Sequence, residues 1–290
     1  MVEGASAQVT ELTAEDHACL TFGESEELFD LTAAFVRDGL AGGLKVIWLS
    51  DAGPEPAVGE LERRGIAAGT AMKAGQMTAA GCEGRLVTGQ VFSAEVAIGW
   101  LAGQVASCRE LGFPGLRVAV DMSWALRPVA GVEQLPVFEE GIAAALAGST
   151  ASVLCQYDRE RFDAVTLASV ASFHTRQVAA ATYHADAVLR ICRQYAPPGI
   201  RIAGEIDYQA EKPLALALAE AVRLETGLDV NMTALAFIDA HCTWMIADAA
   251  RTLASSRMVV LRCRAEVAAG FARLGLGEVP GIRLVTGDGR

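Results

Sequence analysis

The sequence predicts an α/β protein in two parts, on three observations. Short apolar runs alternate with amphipathic helical stretches along most of the 290 residues. The runs are nearly continuous instead of alternating with polar residues, the pattern of strands in a parallel sheet covered on both faces. The stretch Pro197-Pro198-Gly199 then interrupts the pattern, which restarts beyond it.

The elements follow in order. Strands are expected at "ACLTF" (18–22), "KVIWLS" (45–50), "RLVT" (85–88), "LRVAVD" (116–121) and "SVLCQYD" (152–158). Helices are expected in "SEELFDLTAAFVRDGLAGG" and "SAEVAIGWLAGQVASCRELG", the second closing on Gly112 as a helix C-terminus should. After the break come a strand "IRIAGEID", a helix "PLALALAEAVRLETG" opened by Pro213, and a strand within "LDVNMTALAFID". A helix "TWMIADAARTLASS", a strand "MVVLRC", a helix "AEVAAGFARLGL" and a strand "IRLVT" complete a four-strand module of about 90 residues.

Composition narrows the function classes. Hydrophobic residues make up 52% and charged residues 20%, so the chain buries a core and folds. A net charge of −11 without a Lys/Arg cluster disfavours nucleic acid and anionic membrane as partners. "MVEGASAQVTELTAEDH" lacks the layout of a secretory signal, and no apolar run reaches the roughly 20 residues of a spanning helix, so a cytoplasmic protein is expected. The 24 basic residues include only three lysines beside abundant Ala and Gly, which suggests a GC-rich bacterial genome. The seven cysteines show no CxxC pairing, and reduced thiols without disulfides, structural metal or cofactor are expected.

The stretch 21–51 runs strand, turn, helix, Gly-rich turn, strand, the layout of the nucleotide-binding corner of RecA-type ATPases. A phosphate cradle there needs Gly for backbone approach, a Lys and a hydroxyl. The turn instead reads Gly23, Glu24, Ser25, Glu26, Glu27, which repels phosphate. Asp121 stands where a magnesium-holding acid would, without a phosphate loop to serve.

The blocks "HACLTF", "FVRDGLAGGLKVIWLSD", "GLRVAVDMSWAL" and "VLCQYDRERF", followed by His174, resemble the MEDS domain over about residues 15–180. That resemblance implies a RecA-like parallel-sheet domain stripped of its P-loop that senses small organic, hydrocarbon-derived ligands. Two departures are Asp121, often Glu in the family, and Phe22, commonly Tyr. Ligands of open α/β sheets bind beyond the C-terminal strand ends, which singles out Phe22, Asp121, Trp124, Tyr157 and Asp158, with Gly23 and Asp51 beside them. His17 and Cys19 share one strand face and Cys155 can lie on the neighbouring strand, a cluster able to hold a metal, react with an electrophile or simply pack. His174 is either a further ligand-facing residue or a helix-end residue without chemistry.

The second half resembles the STAS domain of bacterial anti-sigma-factor antagonists over about residues 199–290. "RIAGEID", ending at Asp207, matches its opening strand, "FIDAHCTWMI" its "FIDSSGLxxL" signature and "VVLRCRAEVAAGFARLGL" its closing strand and helix. In that family a Ser or Thr directly after the signature Asp is phosphorylated by a partner kinase that is itself the anti-sigma factor, at a helix N-terminus that holds the added charge. Here Asp239 is followed by Ala240, so the resemblance implies a docking helix whose phosphoswitch is lost. Thr243 is a poor substitute one turn further in. His241 and Cys242 admit a metal or redox reading or plain packing.

These readings divide the chain into a tail (1–16), a sensor (17–180), a linker (181–198) and a STAS-type domain (199–290). They imply a signalling regulator whose sensor controls docking of an anti-sigma factor or switch kinase. No GxSxG or HExxH occurs, and a triad of Cys155, His174 and Asp158 is one that chance permits in a long chain, so no enzyme is expected. Two alternatives remain: a metal- or nucleotide-binding enzyme using Asp121 and the strand-end acids, and a scaffold in a larger assembly.

Overall fold

The computed structural model describes residues 5–287, and the chain divides into two units, Met1–Ala179 and Ala180–Arg290. The first unit runs β1 (Ala5–Ala7), β2 (His17–Phe22), α1 (Ser25–Ala41), β3 (Lys45–Leu49), α2 (Pro54–Arg63), α3 (Ala68–Lys73) and β4 (Met77–Ala80). A small ribbon follows, β5 (Val87–Thr88) with β6 (Val91–Phe92), and then α4 (Ala94–Glu110), β7 (Leu116–Asp121), α5 (Leu135–Leu146), β8 (Ala151–Asp158), α6 (Ala164–Ala171) and β9 (Arg176–Val178).

Seven of these strands form one sheet in the order β1-β9-β2-β8-β7-β3-β4, every pair parallel. The central strands β2, β7 and β8 are buried on both faces, as continuous apolar runs require. Cys19 pairs with Cys155 in register, so with period-2 alternation His17, Cys19, Cys155 and Tyr157 share one face. That face meets α5. The opposite face meets α1, where the Gln156 amide donates to the Thr32 hydroxyl at 2.7 Å.

The structure corrects several sequence expectations in this unit. "RLVT" lies in the ribbon, outside the main sheet, and the strand beside β3 is Met77–Ala80. Its Met-Thr-Ala-Ala run has little β propensity and is held by pairing to Lys45–Leu49 instead. Within the expected tail, 1–16, the described residues are built into the unit: β1 pairs with β9, Val9 and Leu12 are buried, and the Leu12 carbonyl accepts from the Arg117 guanidinium.

The second unit runs β10 (Thr182–Ala185), β11 (Leu189–Tyr195), β12 (Pro198–Ile206), α7 (Glu211–Leu224), β13 (Leu228–Met232) and β14 (Leu235–Ile238). It closes with α8 (Ala240–Ala254), β15 (Val259–Cys263), α9 (Ala265–Arg273) and β16 (Ile282–Thr286). Its sheet is mixed, in the order β10-β11-β12-β13-β15-β16 with β14 on β12; β10, β11 and β12 are antiparallel neighbours and the other pairs are parallel. The stretch 181–198 is therefore no linker: β10 and β11 both lie in it and build this sheet, and Pro197-Pro198 belongs to a tight hairpin in which Pro198 pairs with Tyr195. "LDVNMTALAFID" carries two strands, and seven strands replace the four expected. At Gly204 (φ +98°) strand β12 changes partner from β13 to β14, and a Cβ there would stand 2.0 Å from the Val188 carbonyl oxygen, so only glycine fits. Among the described residues no helix is long and apolar enough to cross a membrane.

Candidate functional site

A polar cluster lies inside the apolar core of the first unit. His17 opens β2, Cys155 and Tyr157 stand on β8, Glu139 comes from α5, and His174 follows α6. All five are buried, Glu139 completely. The apolar stripe of α5 explains why: Leu135, Phe138, Ile142 and Leu146 face the core, and Glu139 falls on that stripe while Glu140 faces out.

Glu139 is the hub. Its Oε2 stands 3.0 Å from His17 Nε2 and 3.3 Å from His174 Nε2, and it accepts from the Cys155 thiol at 3.6 Å. Its Oε1 accepts from the Tyr157 hydroxyl. Cys155 Sγ is 3.5 Å from His17 Nε2, and the two imidazoles stack with centroids 4.0 Å apart. The Val170 carbonyl fixes His174, whose Nδ1 lies 2.7 Å from it. This leaves Nε2 of His174 buried without a hydrogen-bond partner and aimed at Glu139, and His17 Nδ1 likewise has no partner.

The electrostatics follow from burial. Burial alone would push the Glu139 carboxyl up, but His174, then His17 and Tyr157, outweigh it and hold it below the ordinary range. Burial lowers His174 to about 4, against the pull of the Glu139 carboxylate. Burial and then Glu139 raise the thiols of Cys155 and Cys19 and the Tyr157 phenol, which stay protonated. Four potential metal donors, His17, Glu139, Cys155 and His174, lie within 4.8 Å of one another.

The remaining expected residues divide. Trp124 is fully buried against Phe92, with centroids 4.6 Å apart, as part of the core, and its indole N–H is buried without a hydrogen-bond partner. Phe22 is buried. Asp121 is a cap: its carboxylate accepts from the backbone of Ser123 and Asp51. Asp158 accepts from the Glu160 backbone and does not join Cys155 and His174, so the carboxylate of their cluster is Glu139.

Residues 16–175, more than half of the chain, match the MEDS family, described as the MEthanogen/methylotroph, DcmR Sensory domain. The chain belongs to the MEDS family. The match ends inside the first unit, and the second unit lies outside it. In three dimensions the chain is similar to a KaiC-like protein of Pyrococcus horikoshii OT3, with a TM-score of 0.45 and 11% identity over 68% of this chain and 87% of the other. It is similar also to the flagellar accessory protein FlaH of Methanocaldococcus jannaschii, with a TM-score of 0.43 and 10% identity over 68% and 92%. No curated protein matches it.

In the MEDS unit the turn after β2 is only Gly23-Glu24 before α1 begins. The Gly23 N–H donates to Glu27 Oε2 at 3.2 Å, and Arg159 pairs with the same oxygen at 3.3 Å. The Arg159 guanidinium lies so close over Gly23 that a Cβ there would meet it at 2.5 Å. The space above the turn is filled by an ion pair of the chain itself.

A surface cleft of about 450 Å³ in the MEDS unit is walled by Leu135 and Pro136 of α5, Phe162, and Val165, Thr166 and Val170 of α6. Phe162 packs edge-on to Tyr157, and Val170 is the residue whose carbonyl holds His174, so the cleft wall and the buried cluster share side chains and backbone.

In the second unit Asp239 caps α8, accepting from the Cys242 N–H at 2.7 Å. Ala240 and His241 are exposed on the first turn, and His241 pairs with Glu211 at 3.5 Å. The Thr243 hydroxyl is buried and donates back to the Asp239 carbonyl at 2.7 Å. Cys242 is buried, its thiol donates to the Asp207 carbonyl, and burial and then Asp239 push it up to about 12. Asp207 caps the turn after β12 by accepting from the Gln209 N–H at 2.9 Å. Tyr208, Phe237 and Trp244 are exposed.

Proposed function

We propose that this chain is a signalling regulator in which the MEDS unit senses a small organic molecule and the second unit, read as a STAS-like module, docks a kinase-type anti-sigma factor or related switch protein. Membership in the MEDS sensory family carries the first half of this reading. The cleft supports it, being mainly apolar with a few hydroxyl and carboxylate groups, which suits a small organic ligand. Occupancy acts on Val170 and Leu135, and through them on His174 and α5. A ligand controls the output only to the extent that it binds one conformation more tightly than another.

The second half is supported by the start of α8. The helix is capped as a phosphoacceptor site would be, yet Ala240 presents no hydroxyl, and Thr243 Oγ1 is engaged with the backbone. Docking is then constitutive with respect to phosphorylation. The exposed aromatic residues Tyr208, Phe237 and Trp244 supply the apolar anchors that protein interfaces concentrate.

Affinity purification of the tagged full chain from its host tests the docking half. Recovery of a kinase-type anti-sigma factor, lost on Trp244→Ala, is the expected result; recovery of no such partner sinks it. The sensing half is tested separately by thermal shift of the full chain with short-chain alcohols, aldehydes and alkyl halides, where a flat response across the panel counts against it.

A further inference from the structure

We propose that the MEDS unit binds one divalent cation of the zinc class through His17 Nε2, His174 Nε2, Glu139 Oε2 and Cys155 Sγ. The geometry carries this inference. In a tetrahedral site with bonds of about 2.0–2.3 Å, donors stand roughly 3.3–3.8 Å apart. Four of the six separations here are 3.0, 3.3, 3.5 and 3.6 Å, and the other two stay within 4.8 Å.

Two further features point to a ligand. His174 donates its Nδ1 hydrogen to the Val170 carbonyl, which turns the lone pair of Nε2 into the cluster, where it faces a carboxylate oxygen and no donor. A lone pair pointed at a carboxylate is unfavourable unless a proton or a metal cation lies between them. Glu139 in turn has its outer oxygen held by the Tyr157 hydroxyl, so two of the four donors have the supporting hydrogen bond that orients metal ligands.

Charge suits a dry core. As the sulfur–metal bond forms, Cys155 releases its thiol proton to solvent, with no change of oxidation state. One dication with a thiolate and a carboxylate sums to zero, which removes the cost of a net buried charge. All four donors are buried and come from the protein, so the centre is of the closed, structural kind, with no position left for a substrate.

This inference does not depend on the signalling reading, and metal binding is read without any partner or organic ligand. The full chain, purified and stripped with a chelator under reducing conditions, is titrated with Co(II) and then Zn(II). The expected result is one equivalent per chain, with a thiolate-to-cobalt charge-transfer band and tetrahedral visible bands that Zn(II) displaces. The charge-transfer band disappears in Cys155→Ser and persists in Cys242→Ser, while Tyr157→Phe weakens zinc binding by roughly 10- to 100-fold. X-ray absorption of the zinc-loaded wild type provides a check that needs no variant to fold, with a shell of two nitrogens, one oxygen and one sulfur expected. Absence of stoichiometric binding, a shell without sulfur, or a charge-transfer band retained in Cys155→Ser overturns the proposal.

Discussion

At the scale of single residues, Glu139 and Tyr157 show how a buried carboxylate is tolerated. The Tyr157 hydroxyl is the donor to Glu139 Oε1, so Tyr157→Phe strips a donor from a charge that water cannot reach. We expect a loss of about 1–3 kcal/mol in urea unfolding of the metal-free protein, and an unchanged midpoint would contradict the hydrogen bond. Cys242 gives a second residue-scale outcome. Its thiol stands near 12 and that of Cys263 near 11, both raised by burial, against an unfolded value near 9. Raised thiols keep their protons in the folded state when the unfolded chain has lost them. Their contribution is thus complete below pH 9 and is lost as pH rises toward 12. Iodoacetamide at pH 8 should leave both cysteines unmodified in the folded protein and label them in denaturant; rapid labelling of the native chain would refute their burial.

At the scale of elements, the N-terminal strand completes the sheet edge beside β9. Deleting residues 1–12 removes β1 together with the buried side chains of Val9 and Leu12, each contributing about 1.5–3 kcal/mol. A fall in melting temperature of the MEDS unit is the expected result, and an unaltered melt would show that this strand adds nothing. The elements the sequence declares and those it hides differ for physical reasons. Strands β2, β3, β7 and β8 are legible because both of their faces are buried, which forces continuous apolar runs. β4 and β9 are hidden because short strands take their structure from their neighbours. Strands β10 and β11 are hidden because Arg190 and Arg193 interrupt the core residues of β11 and two prolines mark the turn into β12, so the stretch reads as punctuation. Of the polar cluster, period-2 spacing makes His17, Cys19 and Cys155 legible as one face. Glu139 is visible only if its place on the apolar stripe of α5 is counted, and its meeting with His174 depends on contacts between distant elements.

At the scale of the whole molecule, each unit has its own hydrophobic core, built around Trp124, Phe92 and Phe138 in the first and Ile202, Val230 and Phe271 in the second. Three residues, 179–181, join β9 to β10. Fragments 1–179 and 180–290 should therefore each unfold cooperatively in calorimetry, and a fragment lacking any transition would show that its core is incomplete. The turn at Gly23 resists change. Placing a lysine there sets it against Arg159, and removing Arg159 first leaves the buried Glu27 carboxylate without that guanidinium. Changing Glu27 first takes away the acceptor of the Gly23 N–H and the partner of Arg159 together. Each single step is penalised before any phosphate can profit from it, so the turn works as a latch, and turning it into a phosphate loop demands several simultaneous changes.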